Sequence, residues 1–446
     1  MTTEADFAII NAAEENRKGV TPMDKYIYRN FVDILKKELI AALGCTEPIA
    51  IAFAAAKARQ ALDGMPTKVI VHCSGNIVKN VKSVTVPNSG GMTGIEIAAI
   101  LGIVGGDADA QLEVLSGVTD AHRQQARDLL KQGFCTCKLQ EGVDNLYVDV
   151  YVQNAEHSAQ VTVMNRHTLI TRIIRDGELL YKQDIVDQAK SGDNSLLSMD
   201  GILEFADCVE MDDIREIIGR QIEMNSAISR EGLSEKYGAQ IGNVLLKSFG
   251  SDVRVRAMAA AAAGSDARMS GCAMPVVINS GSGNQGMTVS LPVLEYAKEL
   301  NCTQEKTYRA LVISNLISVH IKKYIGDLSA FCGAVSAACG AGAAITYLHD
   351  GTPQQIANTV INTVANVGGI LCDGAKASCA AKIASAVNAA ILGHAMSMAG
   401  IVFHNDEGIV GQDVESTIRS IGHIGQVGMA KTDLEILKIM MKEVSF

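Results

Sequence analysis

The chain has 446 residues, of which 48% are hydrophobic and 20% are charged, a composition typical of an ordered globular protein. Its formal net charge is −10 and its Lys and Arg residues are dispersed. We therefore expect no nucleic-acid partner, because binding a phosphate backbone needs a concentrated positive face. Residues 1–18 are polar and acidic, unlike a signal peptide, and no stretch reaches about 18 consecutive apolar residues, the length of a spanning helix. The composition thus predicts a cytoplasmic protein with no membrane partner.

The N-terminal part of the chain predicts two helices behind a polar tail over residues 1–22. Apolar residues at helical spacing predict a first helix, which Gly44 ends as a C-terminal cap. Pro48 is tolerated in a first helical turn, so it opens the second helix. We expect residues 23–65, which contain both helices, to pack on the helical lobe that follows later in the chain.

Residues 66–189 predict an α+β lobe. Short β-branched runs predict strands at about 68–72, 138–140, 147–152, 160–164 and 169–174. Two helices, at about 95–101 and 121–131, interrupt them. We expect a sheet covered by these helices.

Residues 190–446 predict a mostly helical lobe. Its helices are expected at about 214–233, 292–300, 306–324, 330–348 and 380–398. Trp is absent and Ala and Gly recur in runs, which favours closely packed helices. The predicted fold class is therefore α+β, with a mostly helical catalytic lobe and an inserted smaller α+β lobe containing a β-sheet.

The eleven cysteines of the chain need an explanation. A reducing cytoplasm disfavours disulfides, so clustered cysteines indicate metal binding or catalysis, although about half of them fit simple packing. Cys332 and Cys339 are seven residues apart in a Gly- and Ala-rich segment, and Cys372 and Cys379 repeat that offset. Small neighbours suit an iron–sulfur cluster, with buried helical cysteines as the alternative. Zinc is less favoured, because the chain has no Cys-x2-Cys pair.

Cys45 lies in the sequence Gly-Cys-Thr-Glu-Pro, directly before a predicted helix. A thiol at a helix N-terminus experiences the positive end of the helix dipole, which favours the thiolate. Such a thiolate suits a base, a nucleophile or a metal ligand. The alternative is a small residue that fills a tight turn.

Residues 281–286 match the pattern Gly-x-Gly-x-x-Gly. We reject a dinucleotide site, and with it NAD, because the preceding strand is short and Pro292 interrupts the following segment. A loop of backbone N–H groups with Ser280, Ser282 and Asn284 can instead bind a carboxylate. An ordinary Gly-rich turn is the alternative.

Other polar residues are candidates for substrate contact. Residues 87–94 open a helix with potential for anion binding, and Asn76, Lys79 and Asn80, shortly before them, could supply hydrogen-bond donors. Arg268 offers a guanidinium for a carboxylate, unless it pairs with the nearby Asp266. His167 could carry a proton, although a lone His beside a strand is more often structural.

Three segments together resemble a known family: residues 44–48, 279–286 and 372–379 are similar to the L-cysteine desulfidase family. That family is related to the α-domain of iron–sulfur L-serine dehydratases. The resemblance extends from about Tyr26 to the C-terminus.

The resemblance implies a [4Fe–4S] cluster held by Cys332, Cys372 and Cys379, and no pyridoxal phosphate. It implies that Cys45 is a catalytic acid/base or a resting ligand of the fourth iron. Cys339 falls where relatives carry other small residues, so we assign it to packing. Four thiolates would saturate a cluster, whereas three leave one iron open as a Lewis acid.

The implied function is a carbon–sulfur lyase that converts L-cysteine to sulfide, pyruvate and ammonia by β-elimination. A serine or threonine dehydratase with the same site is one alternative. A non-catalytic iron–sulfur protein with a saturated cluster is another. We expect a small-molecule amino-acid substrate, and a homo-oligomer is compatible with the sequence.

Overall fold

The computed structural model of the protein describes residues 23–183, 192–326 and 328–442, so the predicted tail over 1–22 lies outside the described residues. The helices of the described residues are α1 (Lys25–Glu38), α2 (Thr46–Leu62), α3 (Gly75–Val81), α4 (Ile95–Gly105), α5 (Asp120–Lys131), α6 (Met199–Cys208), α7 (Met211–Ser234), α8 (Ile241–Phe249), α9 (Val253–Met269), α10 (Gly283–Glu299), α11 (Gln304–Ile325), α12 (Gly333–Leu348), α13 (Pro353–Val367), α14 (Ser378–Met398), α15 (Val414–His423) and α16 (Ala430–Met441).

Eight strands form two sheets within the described residues. They are β1 (Ala41–Leu43), β2 (Lys68–Cys73), β3 (Cys135–Leu139), β4 (Tyr147–Gln153), β5 (Ser158–Met164), β6 (Ile170–Arg175), β7 (Glu178–Lys182) and β8 (Pro275–Val277). The larger sheet is mixed, in the order β3-β2-β4-β5-β6-β7, with β2 and β3 parallel and the other pairs antiparallel. Many helices with a mixed sheet confirm the predicted α+β class.

The sheet supports helix α2. Val148, Val150 and Val152 of β4 are fully buried, and α2 packs against β4 and β5. Helix α4 packs on the same helix α2. Because apolar contacts surround α2, most of its residues are buried. The start of α2, at Thr46, is therefore held firmly in place.

The predicted helix end at Gly44 is wrong. Helix α1 ends at Glu38, and Ala41–Leu43 forms β1, which pairs antiparallel with β8. Gly44 occupies the turn between β1 and α2 with φ +61°, where a Cβ would lie 2.2 Å from Pro87 Cγ. The glycine thus serves a tight turn, and a pairing partner more than 230 residues away determines the conformation before it.

Pro292 does not interrupt the segment after the Gly-rich loop. It lies inside α10, which begins at Gly283 and is buried along most of its length. A proline removes one helical hydrogen bond, but packing on both sides of a buried helix outweighs that loss. The other predicted helices and strands are present with shifted ends, for example the strand at 138–140, which spans Cys135–Leu139.

The helices pack closely through small residues, as the composition predicts. A Cβ on Gly340 of α12 would lie 2.2 Å from the Ser314 carbonyl oxygen of α11, and one on Gly102 would lie 2.2 Å from the Ala52 carbonyl oxygen. Both glycines let a neighbouring backbone approach to contact distance. Among the described residues one helix, α14, is long and apolar enough to cross a membrane, yet more than half of its apolar stretch is buried, as in the core helix of a soluble protein.

We predict that Gly340→Ala lowers the free energy of unfolding by about 1–3 kcal/mol, because the added methyl forces α11 and α12 apart. Gly117→Ala is the matched control, since a Cβ there meets nothing within 4 Å, and it should change stability by less than about 0.5 kcal/mol. Urea denaturation of both variants measures this, and equal stabilities would contradict the packing account.

Candidate active site

A cavity of about 410 Å³ lies where the start of α2, the turn between β5 and β6, and the loops before α10, α12 and α14 meet. Eight of the ten predicted site residues line it: Cys45, Arg268, Ser280, Ser282, Asn284, Cys332, Cys372 and Cys379. These residues come from segments more than 300 positions apart in the chain. The fold therefore gathers most of the predicted site at one place.

Four helices begin at this cavity, and none of them has a side-chain cap. Their N-cap residues are Cys45 for α2, Ser282 for α10, Cys332 for α12 and Ala377 for α14. Elsewhere, by contrast, Thr303 caps α11 through its hydroxyl. Uncapped first turns carry the positive end of the helix dipole and lack a side-chain acceptor, although at α14 the Cys379 and Ala380 N–H groups already donate to Lys376 O and Ala377 O. These helix N-termini therefore favour an anionic ligand in the cavity.

The three predicted cluster cysteines lie on two segments that pair with each other. Cys332 N donates to Ile370 O at 3.0 Å, and Cys372 N donates to Ala330 O at 2.7 Å. Cys379 follows in the first turn of α14. Within the described residues no three His, Cys, Asp or Glu side chains are grouped to hold one metal ion. Cluster thiolates bind different irons, so thiols spread around a cavity wall suit a cluster better than a single ion.

Burial raises the pKa of the Cys332 thiol to about 12, and the neighbouring Cys372 adds to this, although the Ala334 N–H offsets part of the shift. Burial also raises the pKa of the Cys379 thiol. Crowded, half-buried thiols of this kind become thiolates only beside a strong positive charge. The donor set fits an iron–sulfur cluster in this respect, since iron supplies that charge.

Asp373 fastens the loop that carries two of these cysteines. Its carboxylate binds Lys376 Nζ at 2.7 Å and Lys382 Nζ, and Lys382 Nζ also donates to Leu371 O. Burial alone would raise the pKa of the Asp373 carboxyl, but the two lysines outweigh it and lower the pKa to about 2. The loop between Cys372 and α14 is thus held by charge as well as by backbone pairing.

Cys45 is buried and its Sγ donates to Glu47 Oε2 at 3.1 Å. Burial raises the pKa of this thiol well above its ordinary value, the Glu47 carboxylate raises it further, and the Arg268 guanidinium only partly offsets this. The expectation of a thiolate at this helix N-terminus is therefore corrected. Loss of hydration at a buried sulfur outweighs the helix dipole, so Cys45 holds its proton.

Arg268, on α9, is only 2% exposed. Its Nε donates to Gly44 O at 2.9 Å and its Nη1 donates to Asn284 Oδ1 at 3.2 Å. Asp266 is not its partner, because that carboxylate accepts the Ala239 and Ile241 N–H groups. Arg268 forms no ion pair with any residue that the structure describes. A buried guanidinium with only neutral partners is a binding site for an anion.

The Gly-rich loop joins the start of α10 to the start of α2. Thr46 Oγ1 donates to Gly281 O at 2.9 Å, and a Cβ on Gly283 would lie 2.4 Å from Arg268 Nε, so only glycine leaves room for the guanidinium there. Strand β8 before the loop pairs only with β1 in the described residues and is antiparallel to it. The loop therefore belongs to no βαβ unit, which removes the basis of a dinucleotide site.

Asn76 and Lys79 do not line the cavity. The Lys79 ammonium is buried and pairs with Asp433 of α16, and Asn76 Nδ2 donates to Asn145 Oδ1 at 3.2 Å. The neighbouring Asn80 lines the cavity instead. Residues on one short helix point in different directions, and sequence alone does not say which of them faces the cavity. Substrate contact by Asn76 and Lys79 stays a prediction.

Glu47 and Gln285 are two of the polar cavity-wall residues that the sequence prediction missed. Glu47 belongs to the Cys-Thr-Glu-Pro motif itself, so the motif was the available signal. Gln285 follows the predicted donor Asn284, and its buried Oε1 has no hydrogen-bond partner among the described residues. His167 also lines the cavity, at the turn between β5 and β6, and its ring packs on Gly281. The mixed sheet thus supplies part of the wall.

Comparison with known proteins identifies the family. The family model for the serine dehydratase alpha chain matches residues 109–438. A UPF0597 protein of Desulfitobacterium hafniense is 50% identical over 424 residues, which cover 95% of this chain and 98% of the relative. One of Lachnoclostridium phytofermentans is 52% identical, with coverages of 93% and 100%, and one of Aeromonas hydrophila is 40% identical, with coverages of 93% and 96%. The chain belongs to the serine dehydratase alpha chain family, which confirms the resemblance seen in its motifs.

We predict that Asp373→Asn loosens the cysteine loop, because two lysines lose their carboxylate. Partly exposed pairs of this kind contribute up to about 1 kcal/mol each, so amide hydrogen exchange over residues 371–382 should become about fivefold faster. Glu435→Gln, which removes the exposed Glu435–Lys438 pair, is the control and should leave this loop unchanged. Unaltered exchange in the Asp373 variant would show that the pair does not fasten the loop.

Proposed function

We propose that the protein is an iron–sulfur-dependent lyase that removes the β-substituent of a small L-amino acid. L-Cysteine is the proposed substrate, with sulfide, pyruvate and ammonia as products. The observation that carries the proposal is the single cavity lined by three half-buried cysteines, the Cys45 thiol and a buried guanidinium without an ion-pair partner among the described residues. We expect it to act as a soluble protein in the cytoplasm.

Cys332, Cys372 and Cys379 are the residues that would hold a [4Fe–4S] cluster. Such a cluster, when bound by three thiolates, supplies an open iron that acts as a Lewis acid. Cys339 is fully buried six residues into α12 and does not line the cavity. This placement supports three ligands over four, and therefore an enzyme over a saturated electron-transfer or structural cluster.

The chain's own groups bind and orient the substrate. Arg268 lines the cavity and has no ion-pair partner among the described residues, so its guanidinium can bind an anion. The uncapped first turn of α10 adds backbone N–H donors beside Ser280, Ser282 and Asn284. Both suit an α-carboxylate. Holding the substrate in one orientation converts the elimination into an effectively unimolecular step.

In this proposal Cys45 acts as the general acid. Its thiol is protonated, buried and within the same cavity as the cluster cysteines. In the elimination a base takes the α-proton, the Cα–H electron pair forms the Cα=Cβ bond, and the sulfur leaves with the Cβ–S electron pair and therefore needs a proton. A thiol that keeps its proton until a stronger base forms beside it can supply that proton.

A serine or threonine dehydratase that expels water from this site is the second candidate, favoured by the family match. Equal concentrations of L-cysteine and L-serine, offered together to protein prepared without air, separate the two. We expect sulfide release to exceed serine consumption. A higher kcat/KM for L-serine would make the protein a serine dehydratase.

We predict that Cys379→Ala loses bound iron whereas Cys339→Ala retains the wild-type iron content, because only Cys379 lines the cavity. Iron and sulfide analysis of the two variants, together with their visible absorption spectra, measures this. Loss of the cluster in Cys339→Ala would instead support saturation by four cysteines and contradict the open-iron enzyme.

We predict that Cys45→Ala lowers kcat for L-cysteine by about 10²–10⁴ while the iron content stays unchanged, since general acid–base groups contribute on this scale. Cys208→Ala is the control, because Cys208 is exposed and does not line the cavity. Full turnover by Cys45→Ala with an intact cluster would remove Cys45 from the mechanism.

A further inference from the structure

Two opposite charges in the cavity lack charged partners. Arg268 and Glu47 both line it, and neither forms an ion pair with any residue in the described parts of the chain. Of the four other charged residues of the wall, Lys37, Glu38 and Lys322 each have an interaction of their own within the protein, and Arg166 is exposed to solvent. Arg268 and Glu47 are therefore the two charges of the wall that are shielded from solvent and have no ion-pair partner in the described residues.

Each of the two charges is held in place by neutral groups. Arg268 is fixed by Gly44 O and by Asn284 Oδ1. Glu47 Oε2 accepts from Cys45 Sγ at 3.1 Å and lies 3.1 Å from Thr46 Oγ1. Both charges thus border the same turn, residues 44–47, yet their anchors keep them from pairing with each other.

Leaving partly buried charges without counter-charges is costly, and the cost is recovered when a ligand supplies them. A ligand that satisfies both must carry an anionic group and a cationic group. The zwitterion of a free α-amino acid has this character, with its carboxylate and ammonium on one carbon. A simple carboxylate or hydroxy acid satisfies only Arg268.

We propose that Glu47 binds the α-ammonium group of the substrate while Arg268 binds its carboxylate, so that this pair selects free α-amino acids. This inference rests on the proposed function of the site and adds the residue that determines substrate class. Glu47 keeps one oxygen, Oε1, without a hydrogen bond inside the described protein, and that oxygen is available to the ammonium.

Thr46 links the two ends of this recognition site. Its Oγ1 lies 2.9 Å from Gly281 O and 3.1 Å from Glu47 Oε2. The single hydroxyl proton of Thr46 serves one of these two acceptors at a time, and its buried side chain contacts both the loop before α10 and Glu47.

Binding of two unreactive probes tests the proposal without relying on turnover. L-Alanine and propionate differ only in the ammonium group, and neither has a β-leaving group. Isothermal titration of iron-loaded wild type should show L-alanine bound at least about tenfold more tightly, the effect of one charge-assisted contact. Glu47→Gln should abolish this preference and leave propionate affinity unchanged, Glu47→Asp should restore part of it, and Arg268→Gln should weaken both probes.

Glu156→Gln, in the exposed turn between β4 and β5, is the control and should bind both probes as wild type does. The proposal is overturned by a preference for L-alanine that survives Glu47→Gln, by equal affinities in wild type, or by wild type that binds no L-alanine. If turnover occurs but the preference ignores Glu47, only this assignment fails. If Glu47 controls binding and neither cysteine nor serine reacts, the lyase proposal fails and the amino-acid site stands.

Discussion

The structure depends on four helices that begin at one cavity without side-chain caps. Their first turns carry the positive ends of helix dipoles at a site that also buries Arg268. The mixed sheet fixes one of these helices, because α2 is packed against β4 and β5. Close helix packing through glycine and alanine fixes the others. Burial of apolar surface thus brings together four helix N-termini without side-chain caps. A bound anion can stabilise these N-termini.

The protonation state of the thiols depends on two opposing effects, burial and the helix dipole. A helix N-terminus stabilises a nearby anion by about 0.3–1 kcal/mol. Full burial shifts a pKa by up to about 3–5 units, each worth about 1.4 kcal/mol. Burial therefore wins at Cys45, whose pKa is raised although it begins α2. The same balance raises the pKa of the Cys332 thiol, so the proposed cluster would bind with release of thiol protons.

The sequence predicts those parts of the protein that local pattern controls. Strands such as β4 and β5 alternate with period two, and the motif residues Cys45, Arg268 and Cys372 carry enough signal to reach the right cavity. Such local patterns do not predict which distant segments pair with each other. The strand Ala41–Leu43 exists because β8 pairs with it, and Lys79 is committed to Asp433 on the last helix described. Glu47 lies in the Cys-Thr-Glu-Pro motif, which was a signal that the prediction did not use, but its lack of an ion-pair partner among the described residues is visible only in the fold.

The most direct test of the central claim, that the cavity holds a cluster used for elimination, is pyruvate formation from L-cysteine as a function of bound iron. Protein reconstituted without air at graded iron and sulfide supplies the series. The account predicts no turnover in iron-free protein and a rate that rises in proportion to iron until about four irons are bound per chain. Turnover that is undiminished in iron-free protein would contradict it.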